Sequence, residues 1–213
     1  SRVSVTLLIP MPFKKLHSDI KEKLAFFEIS IPTPFQSKSI PIIKSGANIY
    51  CTAPAGSGKT TTLILTTLQK LKCEEVGTAP RAIILVENRE RAFVLFEEII
   101  KYTRHTSLRV YACDDKFHIE VLTSEIFEGV DILIVTPKTM HKLLLSEGLN
   151  TTQLKIFNID DAEFLAKSTA YADLMSITQS IHKCQYVTYS EKINPMLKRL
   201  EAHFMQYSRK ITV

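Results

Sequence analysis

The sequence predicts an α/β fold: a parallel sheet of about seven strands with helices on both faces. Three observations predict it. Runs such as Ala82-Ile83-Ile84-Leu85-Val86 and Ile132-Leu133-Ile134-Val135 are apolar at every position, as strands covered on both faces must be. These runs alternate with segments of helical period along most of the chain. One of the alternations is joined by Ala53-Pro54-Ala55-Gly56-Ser57-Gly58-Lys59-Thr60, a glycine-bearing loop between strand and helix.

In chain order, Leu16, Ile20, Leu24 and Phe27 stand at helical spacing, with Phe13 just ahead. Pro32 and Pro34 bar a helix over 31–36, so the helix resumes over 37–44 and Gly46 ends it. A strand over 48–52 leads into the glycine loop and a helix over 61–71 leads out. Strands are then expected over 81–86, 108–113, 131–136, 154–160, 185–190 and 211–213. Helices are expected over 90–102, 117–127, 138–145, 171–182 and 195–207. Links are short and no repeat or low-complexity tract interrupts them, which predicts one domain over 11–213. Residues 1–10 are either a cloning remnant or an ordered arm; Met11 is a possible natural start.

Bulk properties narrow the function classes. Of 213 residues, 45% are hydrophobic and 23% charged, which is ordinary for a globular domain. No apolar run approaches the ~18 residues of a membrane span, so no membrane partner is expected. Lys plus Arg number 27 against 22 Asp plus Glu, which permits a polyanionic partner without requiring one. The four cysteines form no C-x-x-C pair, which argues against zinc and redox motifs and suits a reducing, cytoplasmic setting.

The loop carries the chemistry. Gly56 and Gly58 let the backbone curl until its N–H groups face a polyphosphate, and Ala53 stands where the usual pattern begins with glycine. The following helix, from Thr61, aims its positive end at the same anion. Lys59 is placed to reach the β- and γ-phosphates, and the Thr60 hydroxyl to bind Mg²⁺. Ligands of such sheets bind at the carboxyl ends of the strands. Asp160 ends the apolar strand Ile156-Phe157-Asn158-Ile159, where a Walker-B acid would hold Mg²⁺. Asp161 beside it could orient or deprotonate an attacking water. The pair could equally cap the helix that follows.

Taken together, Pro32-Thr33-Pro34-Phe35-Gln36, Ala53 to Thr60, Asn88-Arg89-Glu90-Arg91-Ala92, Thr136-Pro137, Asp160-Asp161-Ala162-Glu163 and Thr188-Tyr189-Ser190 resemble the first RecA-like domain of a DEAD-box RNA helicase. The resemblance runs from Phe13 to Val213. It implies ATP and Mg²⁺ as cofactors, and as partners an RNA, single-stranded or a short duplex, and a second RecA-like domain absent from this chain. It implies that Gln36 reads the adenine edge and Phe13 stacks on its face. Asp161 stands where the family has its catalytic Glu, and Glu163 where it has Asp. Thr188 and Ser190 stand where Ser and Thr couple nucleotide state to RNA. Arg89 and Thr136 remain as phosphate-backbone contacts. Other RNA-side positions, normally Thr, Gly-Gly and Gly-Arg, are Asn88, Ala112-Cys113 and Lys138-Thr139. Lys138 brings charge without an arginine's fork. The resemblance leaves two readings: half of an RNA-dependent ATPase and helicase, or a degenerate ATP- and RNA-binding clamp.

Overall fold

The computed structural model describes residues 9–213; most of the amino-terminal stretch whose origin the sequence leaves open, residues 1–8, lies outside them. In chain order the elements are α1 (Ser18–Phe26), α2 (Pro34–Lys44), β1 (Ile49–Thr52), α3 (Lys59–Lys70), β2 (Ala82–Leu85), α4 (Arg89–Thr103), β3 (Val110–Ala112), α5 (Ile119–Phe127), β4 (Ile132–Val135), α6 (Pro137–Leu145), β5 (Ile156–Ile159), α7 (Ser168–Gln179), β6 (Gln185–Ser190), α8 (Pro195–Lys198) and β7 (Arg209–Thr212). All seven strands are parallel, in the order β3-β4-β2-β5-β6-β1-β7. This is the expected doubly covered sheet.

Strand periodicity divides the core in two. Along β2, Ala82 and Ile84 face one layer with α1 to α4, and Ile83 and Leu85 face the other with α5 to α8. Both sets are fully buried, which explains why these strands read as unbroken apolar runs. Among the described residues no helix is long and apolar enough to cross a membrane.

Two elements depart from expectation. Helix α2 begins at Pro34 rather than after Gln36. Proline is tolerated in a first helical turn, where its missing N–H has no intrahelical role. Thr33 caps the turn: its side chain accepts from Gln36 N at 3.1 Å, and the Gln36 side chain accepts from Thr33 N at 2.9 Å. At the other end, the helix expected over 195–207 stops at Lys198 and continues as a short 3-10 turn, Arg199–Ala202. There the chain is drawn back to the start of β1. Asn48 Nδ2 donates to Phe204 O at 3.1 Å, and Arg209 N donates to Asn48 O at 2.8 Å. Those tertiary bonds hold the segment in the turn that feeds β7.

Candidate nucleotide site and nucleic-acid groove

The glycine loop leaves β1 at the carboxyl edge of the sheet, held to the neighbouring strand by Ala53 N donating to Ser190 O at 3.1 Å. Gly58 has φ +87° and caps α3, which starts at Lys59, two residues earlier than the sequence suggests. The backbone there favours glycine, and a Cβ on Gly58 would lie 2.6 Å from Gln36 Nε2, so the amide packs directly over the loop. Lys59 and Thr60 thus occupy the first turn of α3, where backbone N–H groups have no helical partner. Together with Ala55, Gly56, Thr61, Arg91 and Asp161 they line a cavity of about 490 Å³. Lys59 Nζ is folded onto the loop, donating to the carbonyls of Ala53 and, at 3.0 Å, Pro54.

Strand β5 delivers the acids. Asp160 follows it directly, and its N donates to Leu85 O at 3.0 Å. The Asp160 side chain is only 4% exposed and is gripped by Arg91, from Nε at 2.7 Å and Nη2 at 3.1 Å. Arg91 Nη2 also donates to Thr60 Oγ1 at 3.2 Å. Burial pushes the Asp160 carboxyl up from its ordinary value, and the guanidinium works against that shift. The same hydrogen bond pushes the Arg91 guanidinium further up. Asp161 takes a left-handed backbone, φ +44°, a region aspartate enters more readily than most residues. Its side chain is 55% exposed, with Arg91 Nε at 3.9 Å. Glu163 reaches the end of β6, accepting from Glu191 N. The Thr188 and Ser190 hydroxyls are buried with no hydrogen-bond partner among the described residues.

The two expected adenine contacts are occupied otherwise. Gln36 is 3% exposed; its oxygen serves the α2 cap and its Nε2 donates to Gly58 O at 3.3 Å. Phe13 corrects the expectation of stacking. It is 0% exposed, buried in the layer under α1 to α4, and offers no ring face to a base.

A second concavity, about 820 Å³, opens beside the first at the ends of β2 and β4. Arg89, Thr136 and Lys138 all line it, as the sequence places them, with Lys167 added. Arg89, Thr136 and Lys167 meet carboxylates. Arg89 donates to Asp114 from Nε at 2.6 Å and Nη2 at 3.0 Å, and that bond holds the Asp114 carboxyl down at about 2. Thr139 Oγ1 donates to Asp115 at 2.6 Å, and Thr136 Oγ1 sits 3.3 Å from both Asp115 oxygens. Lys167 pairs with Glu87 at 3.0 Å.

Residues 33–195 match the DEAD/DEAH box helicase family. The chain belongs to that family. Among curated relatives of this DEAD-box chain, the ATP-dependent RNA helicase ddx54 of Dictyostelium discoideum is 32% identical over 136 residues, 64% of this chain and 12% of that protein. The pre-mRNA-processing ATP-dependent RNA helicase PRP5 of Saccharomyces cerevisiae is 31% identical over 154 residues, 68% of this chain and 18% of that protein. A putative DEAD-box ATP-dependent RNA helicase 29 of Arabidopsis thaliana is 35% identical over 143 residues, 63% and 16% respectively. The DEAD-box chain therefore spans less than a fifth of these relatives. Its fold matches a DEAD box protein from the hyperthermophile Methanococcus jannaschii with a TM-score of 0.83 at 22% identity, over 92% of this chain and 54% of that one.

Sequence reasoning did not single out Arg91, Asp114 or Asp115 as contacts. One signal was available for Arg91. It follows Arg89 by two residues at the start of one helix, and 100° per residue sends the two side chains to opposite sides. One faces the groove and the other the cavity beside the glycine loop.

Proposed function

We propose that this chain is the nucleotide-binding domain of an ATP-dependent RNA helicase, joined in function to a second RecA-like domain. The observation that carries this reading is the convergence of Lys59, Thr60 and Asp161 on one cavity at the carboxyl edge of the sheet, with buried Asp160 tied to its wall through Arg91. Backbone N–H groups of the loop and the first turn of α3 bind the phosphates. Lys59 exchanges its bonds to the Ala53 and Pro54 carbonyls for phosphate oxygens. Gln36 turns its amide from Gly58 O to the adenine edge. Thr60 Oγ1 and the Asp160 carboxylate are the hard oxygen donors that a Mg²⁺ would call on, but Arg91 donates to both and stands between them, so the residues as placed do not fit the ion. Asp161 orients the attacking water, and Glu163, Thr188 and Ser190 pass the state of the site to the groove, where Arg89, Thr136 and Lys138 take RNA phosphates.

Calorimetric titration with ADP tests the reading. The chain is expected to bind ADP, and Lys59→Ala to lose at least about tenfold in affinity, 1.4 kcal/mol. Lys59 packs no core, so the variant should unfold where the parent does. Unchanged binding by a folded Lys59→Ala variant would overturn the assignment.

The carboxylates that hold Arg89 and Thr136 favour a second reading, a nucleotide-gated clamp with weak grip on RNA. Single-turnover ATP hydrolysis by the full-length protein, with and without RNA, separates the two: the clamp shows no RNA stimulation.

A further inference from the structure

The phosphate cavity already contains a cation that the P-loop does not supply. Arg91 is the third residue of α4, and its backbone N–H is fixed by the Asn88 cap at 2.9 Å. From there its guanidinium spans the gap between α3 and the end of β5, taking both oxygens of Asp160 and the hydroxyl of Thr60. These are the two groups that would seat a divalent ion. An arginine fork on a buried carboxylate is a strong, geometrically fixed interaction, unlike a solvated surface pair. An ion entering between Thr60 and Asp160 meets a fixed positive charge and must break all three hydrogen bonds. Meanwhile Arg91 uses three of its five N–H donors, leaving the two on Nη1 for a phosphate oxygen in the cavity it lines.

We propose that Arg91 is a resident cation in the divalent-metal seat, so that this domain holds nucleotide phosphates without Mg²⁺. The inference rests on reading the cavity as a nucleotide site. It makes Arg91 a positioning and charge-supplying residue: its fork holds the Asp160 carboxylate in place, and together with Lys59 it faces the anion. Nucleotide affinity then depends on Arg91 where it would otherwise depend on the metal.

The experiment is ADP titration of wild type, Arg91→Leu and Arg91→Gln, each in Mg²⁺ and in EDTA. Wild type is expected to change affinity less than about threefold between the buffers. The variants are expected to weaken at least about tenfold when Mg²⁺ is removed, because the seat then stands open to the ion. Arg91→Gln can keep a hydrogen bond to Asp160 without the charge, so it gives the same reading should Arg91→Leu not fold. A wild type that itself loses tenfold in EDTA overturns the proposal while leaving the nucleotide site intact. Variants as indifferent to Mg²⁺ as wild type overturn the role of Arg91 in the same way. A wild type that binds ADP in neither buffer overturns both readings.

Discussion

Asp161 stands where the resemblance puts a glutamate, and its surroundings show what the shorter side chain entails. Its carboxylate is more than half exposed, and Arg91 approaches it no closer than 3.9 Å. No short contact fixes it toward the cavity among the described residues. The missing methylene removes about 1.5 Å of reach. A water-positioning group displaced by about 1 Å can lose on the order of 10²-fold in rate. Asp161→Glu in the full-length protein, at saturating ATP and RNA, is therefore expected to raise the single-turnover hydrolysis rate by up to that factor. A fall in rate would mean that the site is fitted to aspartate. Other residues at this scale were only half legible. Spacing found Phe13 and Gln36, but an aromatic ahead of a helix fills a core as readily as it stacks on a base. The Thr33-x-x-Gln36 pattern is also a capping box, and the cap uses the amide oxygen that an adenine contact would need. Arg91 drew no reading of its own, because nothing local says that β5 ends opposite it.

At the scale of elements, legibility followed the period. The central strands β1, β2, β4 and β5 were visible because full burial makes each a largely apolar run, whereas the edge strands β3 and β7 are only partly buried and their bounds shifted by a residue or two. The misplaced bounds of α2 and α8 have different causes, one local and one distant in sequence. Pro34 starts a helix because Thr33 caps it, whereas Pro195 starts one that Asn48 cuts short from the far end of the chain. A buried ion cluster ties the other edge of the sheet. Asp131, fully buried ahead of β4, accepts from Arg81 Nη2 at 2.9 Å, Arg109 N at 2.9 Å, Arg109 Nε at 3.0 Å and Val76 N at 3.2 Å. Burial alone would push its carboxyl up; the bonds from Arg109 and Arg81 outweigh it and hold the pKa below the ordinary value. Asp131→Ala leaves Arg81 buried beside no counter-charge and is expected to cost about 3–5 kcal/mol in denaturant unfolding. The depressed pKa also sets the sign of the pH dependence. The contribution is complete above the unfolded carboxylate pKa of about 3.9 and is lost as pH falls below it toward the native value. A variant whose unfolding midpoint matches wild type at pH 7 would show that the cluster adds nothing.

Across the whole molecule, net charge is a poor guide to where a polyanion would bind. The chain carries an excess of 5 positive charges. Three lysines, Lys70, Lys155 and Lys183, gather around a cavity at the amino ends of the strands, the opposite edge from the P-loop. The groove beside the P-loop sets four carboxylates, Glu87, Glu90, Asp115 and Asp173, against three cations, Arg89, Lys138 and Lys167. Asp114 then takes Arg89 in a two-point bond of the kind a phosphate would make. An RNA strand must displace that carboxylate and enter a groove whose own charges nearly cancel. The chain alone is therefore expected to bind single-stranded RNA weakly, with a shallow salt dependence. Freeing Arg89 should change both quantities together. For the double variant Asp114→Asn, Asp115→Asn, fluorescence anisotropy on a labelled single-stranded RNA is expected to show about tenfold tighter binding at low salt. The log–log salt slope should steepen by about 0.7, the counterion release of one added phosphate contact on a single strand. Tighter binding with an unchanged slope would mean that repulsion was relieved without Arg89 reaching a phosphate. Unchanged affinity and slope would mean that the two aspartates do not compete with RNA at all.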